Sequence, residues 1–209
     1  MEAECTEEII RILELSDNIP EKADLLTECG AGFSRSFLCN ANEKEDIDNC
    51  ILAYGSAVYL TPQGHSDMSS RLSILGVSFC HRFKLTGDLT DISKAILYQQ
   101  KALYLTPEGH ADMPDRLNNL GSALQSRFKH TGDLADISDS ISHLKKAVHL
   151  TPKGHADLPI RLGNLGNSFQ SCFEHTGDLA NISDAISYHQ KAVHLTPEGH
   201  TSANFDFRP

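Results

Sequence analysis

The sequence predicts an all-α fold, a right-handed solenoid of stacked helical hairpins. Three observations predict it. A phrase returns every 45 residues: Leu60-Thr61-Pro62-Gln63-Gly64-His65, then its counterparts from Leu105, Leu150 and Leu195. Within each period, apolar residues fall at steps of three and four, the spacing of one helix face. A second phrase, Thr-Gly-Asp, divides the period at Thr86, Thr131 and Thr176. A fixed period of this size marks units that cannot bury their apolar faces alone and stack to do so.

The elements follow in order. Ile9, Ile10, Ile12, Leu13 and Leu15 read as an amphipathic capping helix within residues 1–18. A degenerate first unit spans 19–62, where Gly30 and Phe37 take the places of Gly76 and Phe83, with one extra residue before Cys50. Three further units span 63–107, 108–152 and 153–197, and the last two agree at roughly two-thirds of positions. The first helix of each unit carries a stripe: Leu72, Leu75, Phe79, Phe83, then Leu117, Leu120, Leu124, Phe128, then Leu162, Leu165, Phe169, Phe173. The second carries Ile92, Ile96, Ala102, Leu103, then Ile137, Ile141, Leu144, Ala147, Val148, then Ile182, Ile186, Ala192, Val193. Between them the glycine suits a left-handed helix end and the aspartate an N-cap. Thr-Pro ends the second helix, because proline lacks the N–H and restricts the residue before it. The tail, 201–209, contains Phe205 and Phe207 and no helix that could cover the last unit. Phe169, Phe173, Ile182 and Ile186 are therefore expected on an open C-terminal face. The expectation is a fragment of a longer array or self-association through that face.

Composition narrows the function. The net charge is −10, the wrong sign for a surface that replaces counterions on nucleic acid. No apolar run approaches the roughly 20 residues that span a bilayer. The acidic start, Met1 to Glu8, lacks the features of a secretory or mitochondrial targeting segment. Six cysteines (Cys5, Cys29, Cys39, Cys50, Cys80, Cys172) form no C-x-x-C pair. They read as free thiols in a reducing compartment, so a cytoplasmic location is expected, with the nucleus open.

The eleven histidines include His65, His110, His155 and His200 in the repeated loops. Stacking separates such copies by about a helix diameter, roughly 10 Å, too far to share one ion. Local hydrogen bonding is their expected role, and no metal or other cofactor is expected. Gln170-Ser171-Cys172-Phe173 faintly resembles a cysteine nucleophile, but no glycine follows and Arg127 stands in Cys172's place one unit earlier. With no Walker loop, G-x-S-x-G or H-E-x-x-H, the chain is expected to be no enzyme.

Ala185 to Pro197, with Leu120-Gly121 and Leu165-Gly166, resembles the tetratricopeptide repeat (TPR). The second-helix phrase matches the family's alanine, large residue, alanine and terminal proline; the glycine of Leu-Gly lets the paired helix come close. The usual unit is about 34 residues, so helices or turns are extended here. Long units resemble those of kinesin light chains and, more closely, fungal arrays with L-T-P-x-G-H and T-G-D-L phrases, often attached to caspase-like CHAT domains or signalling NTPases. The resemblance implies a concave groove lined by first helices, binding a protein or peptide without catalysis. The alternative it implies is a sensor or regulatory segment of such a larger signalling protein.

Taking 100° per residue, the groove is expected to present Ser73, Val77, Cys80 and His81, then Asn118, Ser122, Gln125 and Ser126, then Gly163, Asn167, Gln170 and Ser171. Their amides and hydroxyls suit a peptide backbone, which offers donors and acceptors alike. The family's clamp for acidic chaperone tails needs lysines where Ser73, Asn118 and Gly163 stand. A chaperone co-factor role is therefore not expected.

Overall fold

The computed structural model describes residues 2–15, 21–39 and 43–196. These form nine α-helices and no strand. They are α1 (Glu2–Glu14), α2 (Lys22–Cys39), α3 (Glu43–Leu60), α4 (Met68–Thr86), α5 (Leu89–Leu105), α6 (Met113–Thr131), α7 (Leu134–Leu150), α8 (Leu158–Thr176) and α9 (Leu179–Leu195). The side chain of Phe37, those of Cys5 and Cys39, and the segment with His200, Phe205 and Phe207 lie outside the described residues.

The helices pack as neighbouring hairpins, α2 with α3, α4 with α5, α6 with α7 and α8 with α9, and each hairpin leans on the next. The result is an all-α solenoid. Its long period resides in the helices. A nineteen-residue first helix and a seventeen-residue second helix are joined by a two-residue turn.

The turn is built as its chemistry dictates. Gly87, Gly132 and Gly177 have φ of 71°, 70° and 72°, left-handed values that strain any residue with a Cβ. Their N–H groups close the first helix on Phe83, Phe128 and Phe173 carbonyls at 2.7 Å. Asp88, Asp133 and Asp178 then accept from the N–H two residues on, at 2.8, 3.0 and 3.0 Å. That satisfies one of the unpaired donors at each new helix start. At the far end Thr61, Thr106 and Thr151 fold their hydroxyls back onto the fourth carbonyl before them. In the loops that follow, His65, His110 and His155 accept through Nδ1 from the N–H of Asp67, Asp112 and Asp157.

The first-helix stripes are core throughout the second and third units: Leu72, Leu75, Phe79, Phe83 and Leu117, Leu120, Leu124, Phe128 are buried. Ile92 and Ile137 are buried beneath them. In α1 the reading holds for one side only. Ile9 is buried in the first hairpin's core and Ile12 packs against it, while Ile10, Leu13 and Leu15 remain exposed. Lys22 donates to the Leu13 and Leu15 carbonyls and so finishes α1.

Two features lie beyond the stripes. Gly76, Gly121 and Gly166 face Gln99, Leu144 and His189, and a Cβ on Gly121 would stand 2.7 Å from Leu144 Cγ. The glycine is what lets the two helices of a hairpin touch. Gln99 is fully buried, a costly place for an amide unless both ends are bonded. It receives a hydrogen bond from Ser73 Oγ at 3.0 Å and donates to the Ser73 carbonyl at 2.8 Å.

Hairpins are also joined by charge. Arg71 pairs with Asp24, and Arg161 with Asp115, in each case reaching the preceding first helix. Arg116 reaches Ser70 at the matching position. Aromatic contacts repeat the pattern: His130 meets the Phe83 ring edge-on at 4.6 Å, and His175 meets Phe128 at 5.3 Å.

Candidate functional site

The first helices define an inner side. α4 touches α6 and α6 touches α8, in addition to their contacts with second helices. The solvent-facing line of first helices on this side is the candidate floor of a groove.

Sequence reasoning placed twelve residues on this floor, and the structure sorts them. Ser73 is buried, with its hydroxyl committed to Gln99. Gln125 is buried and donates to Ser171 Oγ at 3.2 Å; Ser171 is buried too, as is Gly163. These four lie away from the open surface, and Ser73, Gln125 and Ser171 form the seam between adjacent first helices. Asn118 sits at the seam's edge, half-buried, accepting from Asn164 at 3.0 Å. The same seam holds Asn119, whose amide donates to Ser73 Oγ at 3.3 Å. The physical reason is that the angle measured from one stripe gives the distance from a hairpin's own core. It says nothing about which flank the next hairpin covers.

What stays open is one register, 45 residues apart. Val77 and Ser122 are half-buried and Asn167 is exposed. His81, Cys80, Ser126 and Gln170 flank it, each half-buried. Gln170 donates to Glu174 at 2.9 Å. Missed by the sequence reasoning are Ile74, exposed three residues before Val77, and Lys84, Lys129 and Glu174, exposed along the rim. Their signal was present, since Ile74 and Lys84 keep the three- and seven-residue spacing from Val77. The floor therefore grades from apolar with a lysine rim on α4 to amide with a glutamate on α8.

Burial shapes the titratable groups. It pushes the Cys80 thiol up to about 11, with Lys84 opposing weakly. Cys80 is thus protonated at neutral pH and a poor nucleophile. Burial, aided by Lys84, holds His81 below its ordinary value. Burial also lowers His143, against a raising influence from Asp139, and lowers His189. Each imidazole protonates more readily when the chain unfolds. Stability is therefore fully present above the unfolded value near 6.5 and declines as pH falls through the lowered folded values. We expect the urea midpoint to fall between about pH 7.5 and about pH 5.5. A midpoint that rises over this interval would contradict the assignment.

Among the described residues, no cluster of three or more His, Cys, Asp or Glu is placed to hold a metal ion. Cys172 accepts from the Asn181 amide at 3.4 Å. No helix is long and apolar enough to cross a membrane, again among the described residues.

No protein-family model matches the chain, and no curated protein matches it. Among solved structures it is similar to the crystal structure of BtubC (BKLC) from P. vanneervenii. That similarity is at 12% sequence identity and a TM-score of 0.42, over 100% of this chain and 92% of that one.

Proposed function

We propose that the chain is a TPR-like, non-catalytic binding module that holds an extended peptide segment of a partner protein along its inner face. The observation that carries this is the open register of Val77, Ser122 and Asn167 on three adjacent first helices. Packed helices lie about 8–10 Å apart. An extended chain rises about 3.3 Å per residue, so every third ligand residue meets a new helix. The grading of the floor orients the ligand: an apolar side chain over Ile74 and Val77, and polar groups or backbone toward Asn167.

Selection of peptides from a displayed random library gives the test. We expect enriched sequences with one apolar residue spaced from polar ones. Their affinity for the double variant Val77→Glu, Asn167→Ala should fall at least about tenfold, or 1.4 kcal/mol. Both positions are outside the core, so circular dichroism should show unchanged helicity. Peptides that bind the variant as tightly as the original chain would contradict the proposal.

A further inference from the structure

The last hairpin ends in a groove that the earlier ones fill. It has a volume of about 620 Å³ and is lined by Gln170 on α8 and by Ile182, Ala185, Ile186, His189, Val193 and their neighbours on α9. Ile186 is 51% exposed and Val193 65%. One unit earlier, Ile141 and Val148 occupy the same positions and are packed against the core. There the covering element is the next first helix.

This face also departs from the others in the latch that joins hairpins. Each incoming first helix brings an arginine to a polar group on the preceding one: Arg71 to Asp24, Arg116 to Ser70, Arg161 to Asp115. On α8 the receiving position is Ile160, 56% exposed. In the sequence the arginine register, six residues after each loop histidine, is filled by Asp206. On α8 the latch has no polar receiver.

We infer that the α8–α9 groove is the interface for a second copy of this chain, paired about a two-fold axis. A two-fold contact sets residues at the axis beside their own images and pairs the others reciprocally, so a charge near the axis meets its like. The chain carries −10 overall, yet the groove lining named above has no residue of fixed charge. Gln190 offers a donor and an acceptor, so it can pair with its counterpart. Spacing on α9 fits an antiparallel crossing. With the axis beside His189 and Gln190, Ile186 of one copy lies against Val193 of the other.

The opposite end argues against head-to-tail growth. α1 already fills the N-terminal side, with Ile9 buried there. Its outer surface sets Ile10 and Leu13 among Glu7, Glu8, Arg11 and Glu14, fixed charges for which the neutral groove has no partner. The pairing therefore closes at two.

Sedimentation velocity over a concentration series tests this. We expect a monomer–dimer equilibrium that changes little with added salt, because no fixed charge is buried. The double variant Ile186→Glu, Val193→Glu should weaken it at least tenfold, by bringing like charges together at the axis. Tyr104→Glu, at a position 88% exposed on a second helix, should leave it unchanged, as should Val77→Glu with Asn167→Ala on the inner face. That last comparison separates this interface from the peptide groove. A chain that stays monomeric at the highest concentration overturns the inference. So does mass that grows beyond the dimer, or a glutamate variant of unchanged helicity that still dimerises.

Discussion

Replacing Leu120 by alanine is expected to destabilise the chain by about 2–5 kcal/mol. Leu120 is 2% exposed, and it belongs to one continuous core with Ile92, Ala95, Ile96 and Phe83 of the preceding hairpin. Truncation loses the transfer energy of the leucine and leaves a cavity. Collapse around that cavity is resisted, because the helices on both sides are held by Gly121 against Leu144 and by the charge latches between hairpins. In a stacked array the loss strikes two terms together, the hairpin's own stability and its contact with its neighbour. Total stability of a domain is about 5–15 kcal/mol, so the variant should melt far earlier in denaturant and with less cooperativity. A change below about 1 kcal/mol would remove Leu120 from the core.

The second large effect is electrostatic. Arg127 binds both oxygens of Asp136, through Nε at 2.7 Å and Nη2 at 2.6 Å. The Asp136 side chain is 6% exposed. Arg127→Ala strands that carboxylate in a place water barely reaches, at a cost of about 3 kcal/mol, the low end for a broken buried pair. The low end applies because the arginine side is partly open to solvent and the carboxylate lies in the first turn of α7. The chain itself contains the compensated version. One unit on, Arg is Cys172 and Asp is Asn181, and the amide donates to the sulfur. Arg127→Cys combined with Asp136→Asn should therefore recover most of the loss, since both partners become neutral together. Urea melts of the single and double variants give the coupling directly. A double variant no better than Arg127→Ala would refute the pairing account.

Much of this architecture was readable in the residues. The period, the stripes, the left-handed glycines and the aspartate caps are local chemistry, and local chemistry is written in sequence. The joint change of Arg127–Asp136 to Cys172–Asn181 was also visible, nine residues apart in each unit. What could not be read depends on the flank between hairpins. Ser73 and Gln125 looked like groove residues because they lie away from their own stripe, and only the neighbouring helix shows that they are covered. Gln99 is fully buried in the position that Tyr54, Leu144 and His189 take in the other hairpins, because its amide is answered by Ser73. His130 and His175, just before the Thr-Gly-Asp turns, each close on a phenylalanine of the preceding hairpin, a contact that the sequence does not display. The C-terminal face was anticipated with its membership partly wrong. Phe169 is buried, stacked on Tyr188 at 5.6 Å, and Phe173 is half-buried, whereas Ile186 and Val193 are exposed.

The central claim is that the inner line of first helices is the recognition surface. Backbone amide chemical-shift mapping with a selected peptide tests it most directly. The account predicts that shifts on binding concentrate on α4, α6 and α8 around Val77, Ser122 and Asn167, with α5 and α7 near Tyr104 and His149 unmoved. Shifts concentrated instead on those second helices, or confined to α9, would contradict it.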